Sequence, residues 1–275
     1  MSGPVIILLD NGSRRAPATL SLRAIAAELA AACGRQVYAV SLRHSDAVPA
    51  GQLGGVRAQI LEGFLRACLG QGQREFVLLP LFFGMSRALT SAVPELVAAL
   101  VEEFGPFDLR IAEVLSPLPQ GEPLLADILA DNVRRASTGM GAGVDSVILV
   151  DHGSPVPEVT AVRSRLAAML GERLDPGLQV DQAVMERRPG AEYDFNGELL
   201  EKKLDFCTSA GGAAVVVLAM LFISPGRHAG PGGDIEAICA EAQMRNPGLQ
   251  LGISPLIGGH PLLIDILKAR LEEVL

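Results

Sequence analysis

The chain has 275 residues, and 23 lysines and arginines against 31 aspartates and glutamates give it a formal net charge of −8. This acidity argues against nucleic-acid binding, which needs a basic face that displaces counterions. With 49% hydrophobic and 20% charged residues the composition excludes a disordered chain, and the longest apolar run, 213–223, is too short to span a membrane.

The two halves of the chain have similar sequences. Residues 5–13 match residues 146–154, and residues 116–129 match residues 254–267 with ten of fourteen positions identical. Since the offset between matching segments stays close to 140 residues, we interpret the chain as a tandem duplication of one domain.

Each half is predicted to form its own domain, with bounds at residues 1–138 and 144–275 and a glycine-rich joint at 137–143. In each half, continuous apolar runs alternate with helix-like stretches. In the second half, strands are predicted at 147–150, 178–184, 214–223 and 249–253, and helices at 159–170, 197–207, 234–244 and 261–274. This alternation predicts two tandem doubly wound α/β domains, each with a parallel sheet.

Three side chains of the second half follow predicted strands at the edge where open parallel sheets bind ligands. His152 follows the first strand, Glu186 the second and His228 the third. Neutral imidazole binds Co²⁺, Fe²⁺, Ni²⁺ or Zn²⁺, and a carboxylate adds negative charge and accepts protons. These three residues, called the trio below, therefore predict a weak, open metal site.

The first half serves as an internal control. Asn11 stands at the position of His152, Arg43 stands opposite Glu186, and no histidine follows the third strand. Because residues of the scaffold are shared while all three candidate ligands change together, the trio is predicted to act as a unit. For either histidine taken alone, capping a loop is as good an explanation.

Residues beside the trio are candidates for binding a ligand. Gly153 leaves room for a flat molecule to approach the backbone, and Ser154 completes the loop. Arg187, Arg188 and Arg227 flank the trio and could attract a polycarboxylate, although each one alone is better explained as a solvated charge. No pattern typical of an ATP-binding loop, a nicotinamide-binding loop or a serine-hydrolase elbow is present.

Other polar residues have simpler interpretations. Asp234 precedes a helical pattern and is interpreted as an N-cap. His260 and its counterpart Glu122 precede a proline at a helix start, where capping is the favoured role. An aspartate stands at the same position in each half, Asp10 in the first and Asp151 in the second. Both are assigned the same role in the loop that follows the first strand.

The order and spacing of these residues resemble the class II chelatases of tetrapyrrole biosynthesis, the sirohydrochlorin cobaltochelatase and ferrochelatase family, in its long, duplicated form. Its motifs are a strand followed by His-Gly-Ser, a strand ending in Glu, a Leu-Phe strand followed by Gly-x-His and Asp-Ile, and Pro-Leu-x-x-x-His-Pro-Leu. In this chain they lie at 147–154, 183–189, 221–235 and 255–262. Met220 and Glu236 stand where many members have proline.

The resemblance implies insertion of a divalent metal, Co²⁺, Fe²⁺ or Ni²⁺, into sirohydrochlorin, towards cobalamin or sirohaem and without ATP. His152 and His228 would hold the incoming metal and help to remove the two pyrrole protons. Glu186 would be a further ligand or proton acceptor, and the flanking arginines would pair with carboxylates of the macrocycle. The active cleft is expected between two pseudo-twofold related domains, of which the first is degenerate.

Two other functions remain open at this stage. A carrier that binds a tetrapyrrole or a metal without turnover would keep the same cleft, and a different small-molecule enzyme could use the same scaffold. Four scattered cysteines and the absence of a visible secretory signal predict a cytoplasmic protein. We expect a monomer or a homodimer, with neither a membrane nor a nucleic acid as partner.

Overall fold

The structure, a computed structural model, describes residues 3–140, 143–207 and 214–275. The chain divides into two compact units: unit 1 is Met1–Pro117 with Ile264–Leu275, and unit 2 is Leu118–Leu263. Of the predicted joint, Gly141 and Ala142 lie outside the described residues.

Strands and helices alternate along the described residues as the repeats predict. The strands are β1 (Val5–Asp10), β2 (Val37–Ser41), β3 (Glu75–Pro80), β4 (Asp108–Ile111), β5 (Ser146–Asp151), β6 (Gln179–Val184), β7 (Ala214–Met220) and β8 (Leu249–Ile253). The α-helices are α1 (Ala16–Cys33), α2 (Leu61–Gly70), α3 (Val93–Phe104), α4 (Pro123–Ser137), α5 (Pro157–Gly171), α6 (Leu200–Cys207), α7 (Asp234–Arg245) and α8 (Leu262–Glu272). All eight elements predicted for the second half are present, with ends shifted by at most three residues.

Each unit has a four-stranded parallel sheet. The strand order is β2-β1-β3-β4 in unit 1 and β6-β5-β7-β8 in unit 2, so the first strand of each repeat is central. Asp10 lies opposite Ser41 and Asp151 opposite Val184, which gives the two sheets equivalent registers at their carboxyl edges. The predicted fold class, two tandem α/β domains with parallel sheets, is confirmed.

The central strands are apolar on both faces because helices cover both faces of each sheet. Every residue of β7 is buried, and the four residues 147–150 of β5 have no exposed surface. Burying a side chain of this size contributes roughly 1.5–3 kcal/mol. These strands form the rigid part of each unit, and the loops at their carboxyl ends are held by it.

The boundaries of the two compact units differ from the domain bounds predicted from the sequence, 1–138 and 144–275. Helix α4 ends the first repeat but belongs to unit 2, where Asn132 Nδ2 donates to Pro255 O at 3.2 Å. Helix α8 ends the second repeat but belongs to unit 1 from Ile264 onwards, and there Arg270 Nε donates to Val114 O at 3.2 Å. The last helix of a repeat therefore does not pack in the unit formed by its own strands.

The residues before α4 and α8 cap these helices. Glu122 Oε1 accepts a hydrogen bond from Leu124 N at 3.1 Å, and His260 Nδ1 accepts one from Leu262 N at 3.3 Å. The interpretation of His260 as a cap is confirmed, and His260 is buried.

Helix α1 is, within the described ranges, the one helix whose length and composition would allow a membrane crossing. One of its faces is buried in unit 1, through Leu22, Ile25, Ala26 and Leu29. A helix that covers a sheet needs such a face.

Candidate metal centre

Three loops at the carboxyl edge of the unit 2 sheet carry the predicted ligands. His152 follows β5, Glu186 lies two residues after β6, and His228 lies between β7 and α7. Since the strand order is β6-β5-β7, these loops are neighbours. Backbone hydrogen bonds continue past the strand ends, from Glu186 N to His152 O at 3.0 Å and from Leu221 N to Val150 O at 2.9 Å, and hold the loops together.

The structure brings the three side chains of the trio together. Each offers one ligand atom, and these atoms lie within 4.8 Å of one another. The ring centroids of His152 and His228 are 4.6 Å apart, and His228 Nε2 is 3.8 Å from Glu186 Oε1. The three atoms are therefore close enough to one another to share one transition-metal ion, which binds such ligands at about 2.0–2.2 Å.

The trio is accessible from solvent. His152 and Glu186 are exposed, and the side chain of His228 is mostly buried but keeps 12% of its surface exposed. A cation and a large ligand can therefore reach the same point, which a closed structural metal site would not allow.

Asp234 orients His228. Its Oδ2 lies 2.8 Å from His228 Nδ1, so one ring nitrogen is held by a carboxylate while Nε2 faces Glu186. Metal-binding histidines commonly have such a carboxylate partner. The interpretation of Asp234 as an N-cap is wrong, because Gly233 is the N-cap of α7 and no side chain caps this helix. The signal for its role is its position six residues after His228.

Comparison with known families identifies the chain. The model of the CbiX family matches it twice, over residues 5–136 and 146–274. The chain belongs to the CbiX family. Because the two matches follow the two repeats, the predicted resemblance to the sirohydrochlorin chelatases in their duplicated form is confirmed.

Individual relatives of this CbiX-family chain agree with that result. The chloroplastic sirohydrochlorin ferrochelatase of Arabidopsis thaliana is 30% identical over 132 residues, which are 48% of this chain and 53% of that protein, so the chain spans about half of that relative's length. SirB from Bacillus subtilis with Fe³⁺ has a TM-score of 0.68 at 17% identity, covering 99% of this chain and 96% of that chain. SirB from Bacillus subtilis subspecies spizizenii in complex with cobalt has a TM-score of 0.67 at 17% identity, covering 99% and 95%. The two solved structures share the fold.

Unit 1 of this CbiX-family chain lacks the ligands. Asn11 and Arg43 occupy the positions of His152 and Glu186, and both are exposed. Among the residues that the structure describes, the trio is the one group of three side chains close enough to hold a metal ion.

Gly153 lets two loops approach each other closely. Its φ is +89°, and a Cβ at this position would lie 2.1 Å from the carbonyl oxygen of Glu186. Gly12 in unit 1 is equivalent, with a φ of +86° and a hypothetical Cβ 1.8 Å from Arg43 O. Because the unit that lacks the trio keeps this glycine, loop packing requires it in both units, whether or not a ligand approaches.

Gly153→Ala is expected to destabilise unit 2 by about 3 kcal/mol or more, since both the backbone conformation and the steric clash oppose a Cβ. The control is Gly232→Ala, because Gly232 also has a positive φ, +71°, but no atom lies within 4 Å of its hypothetical Cβ. The control should lose only about 1 kcal/mol. Urea denaturation of both variants measures the difference, and equal losses would contradict the loop-packing explanation.

Ser154 is held within its loop rather than left free. Its hydroxyl oxygen accepts a hydrogen bond from Val156 N at 3.0 Å, just before α5. Its backbone N–H and carbonyl group both bond to the side chain of Asn196. The sequence interpretation did not identify Asn196.

The three flanking arginines are exposed but engaged locally. Arg187 pairs with Asp194 at 3.1 Å, and Arg227 lies 3.4 Å from Asp234. Arg188 lies over the ring of Tyr193, 5.8 Å from its centroid. Within the described part of the chain, Arg188 is the one of the three without a carboxylate partner.

Proposed function

We propose that this CbiX-family protein inserts a divalent metal ion into sirohydrochlorin or a related tetrapyrrole, using neither ATP nor a nicotinamide. The convergence of His152, Glu186 and His228 on one accessible point carries this proposal. The metal is a substrate, and two imidazoles with one carboxylate suit Co²⁺, Fe²⁺ or Ni²⁺. The product would serve cobalamin or sirohaem biosynthesis.

The proposed reaction exchanges two pyrrole protons for one metal ion. The site must therefore hold the ion transiently and accept protons nearby. His152 and His228 would bind the ion through ring nitrogens, leaving coordination positions open for the macrocycle. Glu186, with about half of its side chain exposed, would serve as a third ligand or as an acceptor of a pyrrole proton.

The carboxylates of the macrocycle are the proposed partners of Arg187, Arg188 and Arg227, with Gly153 and Ser154 lining the approach. Exposed guanidinium groups beside the trio support this role, because arginine binds carboxylates through two parallel hydrogen bonds. Arg188 can do so without breaking an ion pair within the protein.

Arg188→Gln is expected to raise the KM for the tetrapyrrole about three- to tenfold with little change in kcat, because it removes binding that is equal in the ground and transition states. Steady-state kinetics with metal-free sirohydrochlorin measures both constants. The control is Arg245→Gln, at the far end of α7, where the arginine pairs with Asp205. An unchanged KM in Arg188→Gln would remove this residue from the substrate site.

The proposed activity is tested by mixing the purified protein with metal-free sirohydrochlorin and Co²⁺ or Fe²⁺ and following the absorption change of the macrocycle. Insertion well above the uncatalysed rate, with many turnovers per protein, is the expected result. Tight binding of one macrocycle without turnover would instead identify a carrier.

The expected compartment is the cytoplasm. Cys33, Cys68, Cys207 and Cys239 are free thiols, which suits a reducing environment.

A further inference from the structure

We propose that Arg163 and Asn196 are positioning residues, which fix the loop carrying His152 and thereby set the affinity of the trio for a metal ion. Neither residue belongs to the trio. The inference rests on one part of the proposed function, namely that the trio binds the metal ion.

The first anchor of this loop is a buried ion pair. Asp151, the last residue of β5, accepts hydrogen bonds at Oδ1 from Gly153 N at 3.1 Å and from Arg163 Nη1 at 2.7 Å. Arg163 is 2% exposed and Asp151 8% exposed. His152 lies between Asp151 and Gly153 in the chain, so the bond from Gly153 N to Asp151 Oδ1 closes a turn around its backbone, and Arg163 holds the carboxylate of that turn in place.

The second anchor is the side chain of Asn196, which is buried. Its Oδ1 accepts from Ser154 N at 3.0 Å, and its Nδ2 donates to Ser154 O at 2.8 Å. Arg163 Nη2 donates to Asn196 O at 2.6 Å and so joins the two anchors. The loop is clamped at residues 151 and 154, directly before and two residues after His152.

Unit 1 keeps the loop, and Asp10 still accepts a hydrogen bond from the backbone of Gly12, but unit 1 lacks the arginine and the asparagine of the two anchors. At the same offset of 141 residues that relates Asp10 to Asp151, Leu22 stands at the position of Arg163. The bridge between Ser41 and Ile60 in unit 1 is equivalent to the bridge between Val184 and Leu199 in unit 2. Asn196 lies three residues before Leu199, and the residue three before Ile60 is Arg57. The two side chains proposed as positioning residues are therefore absent from the unit that lacks the ligands.

A purely architectural role does not explain the anchors. In unit 1, Arg23 of α1 donates to the carbonyl groups of Leu53, Val56 and Arg57, at 2.9–3.0 Å. That unit thus ties its helix to the following loop without involving the aspartate at the end of the first strand. The bonds to Asp151 and Ser154 are additional, and they occur where the loop must present a histidine.

The first test compares two variants that each remove a hydrogen bond made by Oδ1 of Asn196, one to Ser154 and one to Thr160. Asn196→Ala removes both bonds to Ser154 and is expected to weaken Co²⁺ binding about tenfold, which is typical when a group supporting a metal ligand is lost. Thr160→Val is the control, because Thr160 Oγ1 also bonds to Asn196 Oδ1, at 3.2 Å, while the bonds from Asn196 to Ser154 would remain. Its Kd for Co²⁺ should stay within twofold of the parent.

The second test removes the ion pair without leaving a charge unpaired. Arg163→Leu alone would bury an isolated carboxylate and threaten folding. The double variant Asp151→Asn with Arg163→Leu avoids this, and it places at position 163 the leucine that unit 1 has at the equivalent position. We expect a Kd for Co²⁺ raised about tenfold and a changed visible spectrum of the bound ion, which reports the number and geometry of its ligands. A merely structural role would lower thermal stability and leave both readouts unchanged.

These readouts measure metal binding and are independent of insertion. If the parent binds Co²⁺ through the trio but inserts no metal, the proposed function fails while weakened binding in the variants still supports the positioning role. If the parent inserts metal but Asn196→Ala and the double variant bind Co²⁺ as tightly as the parent, the positioning role is overturned. A parent that does not bind Co²⁺ at all overturns both.

Discussion

Replacing either histidine of the trio is expected to reduce metal insertion at least about 100-fold, since the loss removes a metal ligand and a proton acceptor at once. His152→Ala and His228→Ala should also bind Co²⁺ much more weakly than the parent, because two ligands remain where three converged. Initial rates of insertion into sirohydrochlorin and a Co²⁺ titration measure the two effects.

The matched control for these variants is His44→Asn. His44 is an exposed histidine of unit 1 with a φ of +70°, a conformation that asparagine tolerates well. It should insert metal at the parental rate. If His152→Ala and His228→Ala also do so, the assigned reaction is wrong.

Glu186→Gln separates the two roles left open for this carboxylate. Glutamine keeps an oxygen that can approach the metal but cannot accept a proton at neutral pH. If Glu186 accepts a pyrrole proton, the insertion rate falls about 100-fold while the Kd for Co²⁺ changes little. If Glu186 is mainly a ligand, the two quantities change together.

Asp10 is expected to make unit 1 less stable as the pH rises. Burial raises the pKa of Asp10 from its ordinary value near 3.8 to about 6, while hydrogen bonds from Ser41 and the backbone of Gly12 partly oppose the shift. Its Oδ1 is buried with no hydrogen-bond partner among the residues that the structure describes, and the position of Arg163 is occupied by Leu22. The carboxylate of Asp10 is therefore disfavoured in the folded state.

The sign follows from the two pKa values. Below about pH 4, Asp10 is protonated in both the folded and the unfolded state, so it does not lower the free energy of unfolding. As the pH rises through 6, the unfolded state loses this proton first, so the free energy of unfolding falls by about 3 kcal/mol in total and then stays lower.

Asp10→Asn should abolish that loss, so its stability relative to the parent should increase between pH 4 and pH 7. Urea denaturation of both proteins at several pH values gives the difference, in which all other titrating groups cancel. Asp46→Asn, at an exposed aspartate, should show no such trend. A difference for Asp10→Asn that does not change with pH would show that this carboxyl group titrates normally in the folded protein.

The sequence by itself determined the duplication, the parallel sheets and the residues of the trio. These features depend on local patterns: continuous apolar runs mark buried strands, and parallel strands bring the residues that follow them to one edge. The same locality made His260 recognisable as a cap, because a cap bonds to its own helix within two residues.

Only the tertiary structure decided which groups support the trio. Asp234 looks like a helix cap in the sequence but bonds to His228, and Arg163 looks like an ordinary helical arginine but is buried against Asp151. The assignment of α4 and α8 to the compact units was equally hidden. For Arg163 and for the two helices, the partner lies on another element of the chain, and packing between elements, which no local pattern encodes, selects it. For Asp234 the spacing of six residues to His228 is a local signal, but only the structure shows that the two side chains bond.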